Sequence, residues 1–237
     1  MSSNNKHRIL AQNTLPNNQY LATSLEDKTL YPLSEGAWLV SCPTLYSSWI
    51  LKPEISGSLA QANLLENYQR PLIFDDYTLA YREFKEDSFY VQVTQSSLMW
   101  VFHTREGKKD NYNQIKVDIG RLLEIENCNV TDAIIQKDAV VFAIHNQLHV
   151  INYNRNILVS TSSNKFSNDL IKHRILKLEA QASKLWTLND YNMIMIQYYA
   201  YRGLYIYKMI DQFKELNLIE RVIFHIFINP YPLLDGF

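Results

Sequence analysis

A two-stranded unit of fixed design recurs along this chain, and the recurrence restricts the fold more than any single residue does. In the clearest copy, Ser88 to Thr94, the side chains of Phe89, Val91 and Val93 share one face and those of Tyr90, Gln92 and Thr94 the other. The chain turns at Gln95-Ser96 and returns from Leu98 to Phe102, apolar on both faces, so this hairpin is expected to be packed between other sheets. The design returns from Asp138 to Tyr153 about an Asn146-Gln147 turn, and from Asn192 to Met209 about Arg202-Gly203. An earlier copy joins Trp38–Ser41 to Ser48–Leu51. Copies spaced by roughly 50 residues match the ~40–50 residues of one four-stranded propeller blade. Asn129 to Ile135 and Ile175 to Gln181 are read as the outer strands that complete blades.

The expected fold is therefore all-β, a partial β-propeller of about four antiparallel blades over residues 36–237. Residues 1–35, rich in Ser and Asn and without sustained periodicity, are read as a flexible or irregular N-terminal arm. A β-sandwich or mixed sheet is the competing architecture. Six glycines and no Trp-Asp blade signature exclude the commonest propeller type, so Asn and Asp must serve in many turns.

Composition removes several classes of function. With 47% hydrophobic residues the chain has the material for a core and is not a disordered segment. A net charge of -1 supplies no general field for a polyanion, and direct nucleic-acid binding is not expected. The basic run Arg105, Lys108, Lys109 reads as a solvated loop after a buried strand. Cys42 and Cys128 are too few for a disulfide framework, which suits a reducing compartment. No apolar core of a signal peptide precedes Gln19, so the chain is expected to stay inside the cell. Met193 to Ile210 carries Gln197, Arg202 and Lys208 and is not read as a membrane span.

Candidates for chemistry are sparse. His145 and His149 stand four apart, but across a hairpin turn and without a third ligand, so they read as turn-flanking side chains and no metal is expected. Asp75-Asp76 and the Glu124, Glu126 pair read as corner and solvated-face acids. No nucleophile elbow, zinc-protease helix or phosphate loop occurs, and the scattered glycines could not build one. No catalytic residue or cofactor is assigned. The 16 tyrosines are the notable excess. Tyr198, Tyr199, Tyr201, Tyr205 and Tyr207 gather about one hairpin, where they form a candidate interface or line the grooves between blades.

Phe74, Thr78 and Leu79, followed by Gln92, Val93 and Thr94, resemble a motif of a family of large propeller proteins without Trp-Asp repeats. That family includes the large subunits of the UV-damaged DNA-binding complex and of the cleavage and polyadenylation specificity factor, and a splicing-factor scaffold. The family's glycine stands as Ile73 here, and the likeness runs over residues 36–210. The resemblance implies a nuclear, non-catalytic protein-interaction scaffold, an adaptor for a cullin-type ubiquitin ligase in DNA repair, with a cullin and substrate receptors as partners. Its Asn-rich, Gly-poor character is similar to that of a divergent fungal branch. A scaffold in messenger-RNA 3′-end processing or splicing is the second reading, and a propeller hydrolase is the alternative from another class. Unpaired strand edges in a partial propeller also imply self-association.

Overall fold

A computed structural model describes residues 28–222, apart from 35, 57–58, 65–68, 107–108, 162–164, 189–192, 202 and 211–214. The chain is all-β, with four antiparallel four-stranded sheets arranged as the blades of a four-bladed propeller. Blade 1 holds β1 (Thr29–Pro32), β2 (Trp38–Cys42), β3 (Ser47–Ser56) and β4 (Leu59–Leu64). Blade 2 holds β5 (Thr78–Phe84), β6 (Phe89–Thr94), β7 (Ser97–Glu106) and β8 (Lys109–Asp118). Blade 3 holds β9 (Val130–Gln136), β10 (Ala139–Ile144), β11 (Gln147–Tyr153) and β12 (Ile171–Lys177). Blade 4 holds β13 (Ala182–Leu188), β14 (Met193–Tyr198), β15 (Leu204–Ile210) and β16 (Glu215–Val222). Within every blade the strands lie side by side in chain order.

The first strand of each blade lies innermost. β9 packs against β5 on one side and β13 on the other, and Tyr31 of β1 donates its phenol hydrogen to the Leu79 carbonyl of β5 at 2.6 Å. Two expectations are corrected by this order. Asn129 to Ile135 is the inner strand of its blade rather than an outer one, and Ile175 to Gln181 begins in β12, the outer strand of the preceding blade. Alternation alone identifies a strand without saying which neighbour it pairs with. The propeller also begins before residue 36, because β1 pairs with β2 from Thr29↔Ser41 to Pro32↔Trp38. A four-residue strand ending in proline gives almost no period-2 signal. Residues 1–27, and with them most of the expected arm, lie outside the described residues.

The tight turns are made with few glycines. Tyr46, Ser88 and His145 take φ of 47°, 53° and 53° where strands reverse, a conformation that glycine adopts without strain. Gly120, in the five-residue helix α1 (Ile119–Leu123), answers a packing demand instead: a Cβ there would come within 3.0 Å of the Ile125 carbonyl oxygen. Asp118 caps that helix by accepting from the Arg121 amide at 2.7 Å. A second five-residue helix, α2 (Arg155–Val159), follows β11.

The double-sided apolar character of β6 and β10 is explained by the packing, since all six residues of each are buried. Phe89, Val91, Val93, Leu98, Trp100 and Phe102 of blade 2 meet Ile135, Val140, Phe142, Ile144 and Ile151 of blade 3. On its other face blade 3 places Ile134, Val141, Leu148 and Val150 against Leu185, Ile194, Ile196, Tyr198 and Tyr205 of blade 4. Blades 1 and 2 meet differently. The segment Arg70–Thr78 is wedged between them, and the apolar contact divides into two small clusters that share Leu72 and Tyr81. No helix among the described residues is long and apolar enough to cross a membrane.

Candidate functional site

Two ends of the propeller are distinct. At the upper end lie the turns between second and third strands and the passages from one blade to the next. At the lower end lie the turns between first and second strands and between third and fourth.

The lower end of blade 3 carries a cavity of about 970 Å³, in the size range of a small-molecule site. Its floor is a cross-strand row fixed by register: Gln136 opposes Ala139, Ala139 opposes Asn152, and Asn152 opposes Lys172. Cross-strand partners share a face, so the two amides and the ammonium stand side by side around alanine, whose small side chain leaves the row open. Met209 of blade 4 closes one flank, with its sulfur 3.9 Å from Gln136 Nε2. The rim comes from the Lys137-Asp138 turn, Asn154 to Ile157 at the start of α2, and Asp169 and Leu170 before β12.

The cavity wall is rigidly held. Tyr153 is buried, its amide donates to the Asp138 carbonyl at 3.1 Å, and its phenol donates to the Gln136 carbonyl at 3.1 Å. Burial, and secondarily the Asp138 carboxylate, push the Tyr153 phenol well above its usual pKa, so it stays a neutral donor. The Asn154 side chain accepts from the Asn156 amide at 3.0 Å and caps α2. Asn113 of β8 donates to the Val159 and Thr161 carbonyls at 3.1 Å and ties the far end of α2 down. The Arg155 guanidinium lies 5.6 Å from the Phe89 ring centroid. The lining thus holds three cations (Lys137, Arg155, Lys172), two carboxylates (Asp138, Asp169) and four side-chain amides (Gln136, Asn152, Asn154, Asn156). Cations suit a carboxylate or phosphate, amides suit hydroxyls, and a carboxylate can take a proton from water. Among the described residues no group of three metal-ligating side chains occurs.

The sequence candidates fall elsewhere. Gln92, Thr78 and residue 73 meet in a buried knot between blades 1 and 2. Gln92 Oε1 accepts from the Ile73 amide at 2.7 Å, and its Nε2 donates to the Ile73 carbonyl and to Thr78 Oγ1, both at 2.9 Å. Ser48 and Ser41 extend the knot through Thr78 Oγ1 at 2.9 Å and the Thr78 carbonyl at 2.7 Å. Val93 is buried in the blade 2 core, Leu79 packs at its margin, Thr94 exchanges hydrogen bonds with Ser97, and Phe74 is exposed. Asp76 turns the chain, accepting from the amides of Tyr77 and Ser96. Lys108 lies outside the described residues, while Arg105 and Lys109 sit where β7 and β8 meet at the lower end.

The tyrosine interface is corrected in part. Tyr198, Tyr205 and Tyr207 are buried against blade 3, with the phenols of Tyr198 and Tyr207 2.7 Å apart, because their strand positions alternate inward. Tyr199 and Tyr201, in the intervening turn, are exposed. His149 is not merely turn-flanking. It is buried, its Nδ1 lies 3.1 Å from His173 Nε2, and its Nε2 is 3.1 Å from the Gln147 carbonyl oxygen of the side chain. Burial, then the neighbouring His173 and His145, pull its pKa down to about 4. Sequence reading missed the buried Asp132 of β9, which accepts from the Leu185 amide at 2.7 Å and from Lys184 Nζ at 3.3 Å. Burial raises its pKa in spite of that lysine. It also missed the cavity, since Gln136, Asn152 and Lys172 are brought into one row only by register.

No family model matches the chain, and no curated protein matches it. Solved structures that resemble it include a protein from Lactobacillus plantarum, at 10% identity and a TM-score of 0.48, covering 82% of this chain and 55% of that one. Another is the periplasmic gluconolactonase of Pseudomonas aeruginosa, at 9% identity and 0.48, covering 81% of this chain and 53% of that one. The chain therefore spans about half the length of these structures. The sequence reading of a non-catalytic cullin adaptor is corrected: no family model or curated protein of that family matches the chain, and both the adaptor function and the exclusion of catalysis are withdrawn. Likeness at this level carries no reaction to this chain.

Proposed function

We propose that the chain is a hydrolase of the propeller class that takes a small, polyhydroxylated, anionic ester or lactone in the cavity at the lower end of blade 3. The observation that carries this reading is the lining itself: three cations, two carboxylates and four amides around about 970 Å³. A substrate carboxylate or phosphate would sit against Lys172 and Lys137, and its hydroxyls against Gln136 and Asn152. Asp138 and Asp169 are the groups able to accept the proton of an attacking water. Water would add to the acyl carbon, the acyl C–O bond would break, and that proton would pass to the departing alkoxide oxygen. An adjacent ammonium steadies the oxyanion formed on the way.

The test is a hydrolysis assay on a panel of anionic lactones and esters, namely phosphorylated aldonolactones and the monolactones and monoesters of sugar diacids, run beside Asp138→Asn, Asp169→Asn and Lys172→Met. Loss of turnover in one carboxylate variant of at least about 100-fold, with a raised KM in Lys172→Met, is the expected outcome. Turnover absent from the panel, or undiminished in both carboxylate variants, would overturn the reading.

A further inference from the structure

The cavity at the lower end of blade 3 reaches around the blade's edge, and its two sides differ in chemistry. Neighbouring residues of a strand point to opposite faces. Ala139 packs toward blade 4, so its cross-strand partners Gln136 and Asn152, with Lys172 beyond them, stand on that side. Tyr153, next to Asn152, and Ile171, next to Lys172, pack toward blade 2 instead. Leu170 and Ile157 continue this second side as part of the cavity lining. The polar row therefore has an apolar counterpart that the hydrolase reading leaves unused.

The exposure of Ile157 is built in. Its side chain is 43% exposed, and a single exposed aliphatic residue is ordinary. What sets this one apart is a backbone fixed on both sides. The Ile157 amide donates to the Asn154 carbonyl at 3.1 Å, and its carbonyl accepts from Ser160 Oγ at 2.9 Å and Thr161 Oγ1 at 2.7 Å. Its neighbour Leu158 is fully buried, which sets the rotation of α2 and leaves Ile157 at the cavity rim rather than in the core. Val159, at the end of the same helix, is 40% exposed and lies outside the lining.

Two polar side chains on this side are already committed. Asn154 accepts from the Asn156 amide as the helix cap, and the Arg155 guanidinium lies against the Phe89 ring. Asn156 and Asp169 are exposed at the rim. An apolar group laid along Ile157 and Leu170 releases the water that covers them, and each methylene so buried raises affinity roughly fourfold.

We propose that Ile157 and Leu170 form an apolar subsite for a short alkyl or aryl group carried by the ligand whose anionic, hydroxylated part lies on the Gln136–Asn152–Lys172 row. This rests on the reading of the cavity as a site for such a ligand and names a second half of the molecule it takes.

The experiment is isothermal titration calorimetry of the whole chain with methyl and hexyl β-glucuronide. These glycosides present the anionic, hydroxylated head and contain no ester for the proposed reaction to cleave. The hexyl compound should bind about tenfold tighter than the methyl one, with a more negative heat-capacity change. Ile157→Asn should remove most of that advantage and leave the methyl affinity unchanged, whereas Val159→Asn should leave both affinities unchanged. Both side chains are exposed, so neither substitution disturbs the core. Equal affinity for the two glucuronides would overturn the subsite alone, since hydrolysis is read in its own assay. A hexyl advantage that survives Ile157→Asn, or that Val159→Asn reduces as much, would also overturn it, and binding of neither compound would overturn it together with the site.

Discussion

The joint between blades 1 and 2 and the joint between blades 2 and 3 solve one packing problem with opposite chemistry. Blades 2 and 3 are sealed by a continuous apolar layer in which Trp100, Phe89, Phe102 and Phe142 are fully buried. Blades 1 and 2 are stitched by a polar knot in which Gln92, Thr78, Ser48 and Ser41 satisfy one another and the backbone of Ile73. An apolar layer is non-directional and loses stability in proportion to the volume removed. A buried polar knot adds little net stability while whole, and each group it orphans is penalised by desolvation. The difference teaches where each joint is brittle: the first fails by cavity, the second by a missing partner.

Truncating the largest ring in the apolar joint should have the largest effect. Trp100→Ala is expected to destabilise the fold by about 3–5 kcal/mol, read from urea unfolding. In the polar joint, Gln92→Leu keeps the bulk but strands the Ile73 amide and carbonyl and Thr78 Oγ1, for a loss of about 2–3 kcal/mol. A neutral result for Gln92→Leu would erase the contrast between the joints. Gln92→Glu should not rescue, because an ionised carboxylate cannot donate to the Ile73 carbonyl.

Acid sharpens the comparison from the side of blade 3. The pKa of His149, about 4 in the folded protein, lies below the ~6.5 of an unfolded chain. Between those values the unfolded state binds the extra proton, so this contribution is complete above about pH 6.5 and is lost as pH falls toward 4. His173, also lowered chiefly by burial, acts in the same direction, and its partner Glu124 opposes it. Asp132, raised by burial, has the opposite sign and softens the loss. His149→Gln should flatten the pH dependence of unfolding between pH 4 and 6.5, whereas an unchanged profile would remove His149 as the cause. The smallest effect belongs to Ser41→Ala, about 1 kcal/mol, since the Thr78 carbonyl loses one donor and keeps the Tyr31 phenol at 3.3 Å.

Much of the architecture was legible because strands buried on both faces leave apolar residues at consecutive positions, as Leu98–Phe102 of β7 and Ala139–Ile144 of β10 do. Innermost β1 and outermost β16 were not legible. β1 is four residues long, and β16 has an almost wholly exposed pattern, so neither shows the alternation of a half-buried strand. Gln92 and Thr78 stood out as a motif, but their partner, the backbone of residue 73, is invisible to side-chain pattern. For the tyrosine cluster, interface and groove stayed open because composition counts rings without their direction, and the turn at Tyr199 separates two exposed rings from three buried between blades 3 and 4. The cavity was beyond reach for another reason: Gln136, Ala139, Asn152 and Lys172 are ordinary residues until register aligns them.

Hydrogen exchange of the whole chain, with and without a saturating mixture of aldonic acids, tests most directly whether that aligned row is a ligand site. Slowed exchange confined to residues 136–139, 152–157 and 169–172 is the predicted result. Protection located at the upper end or along the blade 1–2 joint, or none anywhere, would contradict it.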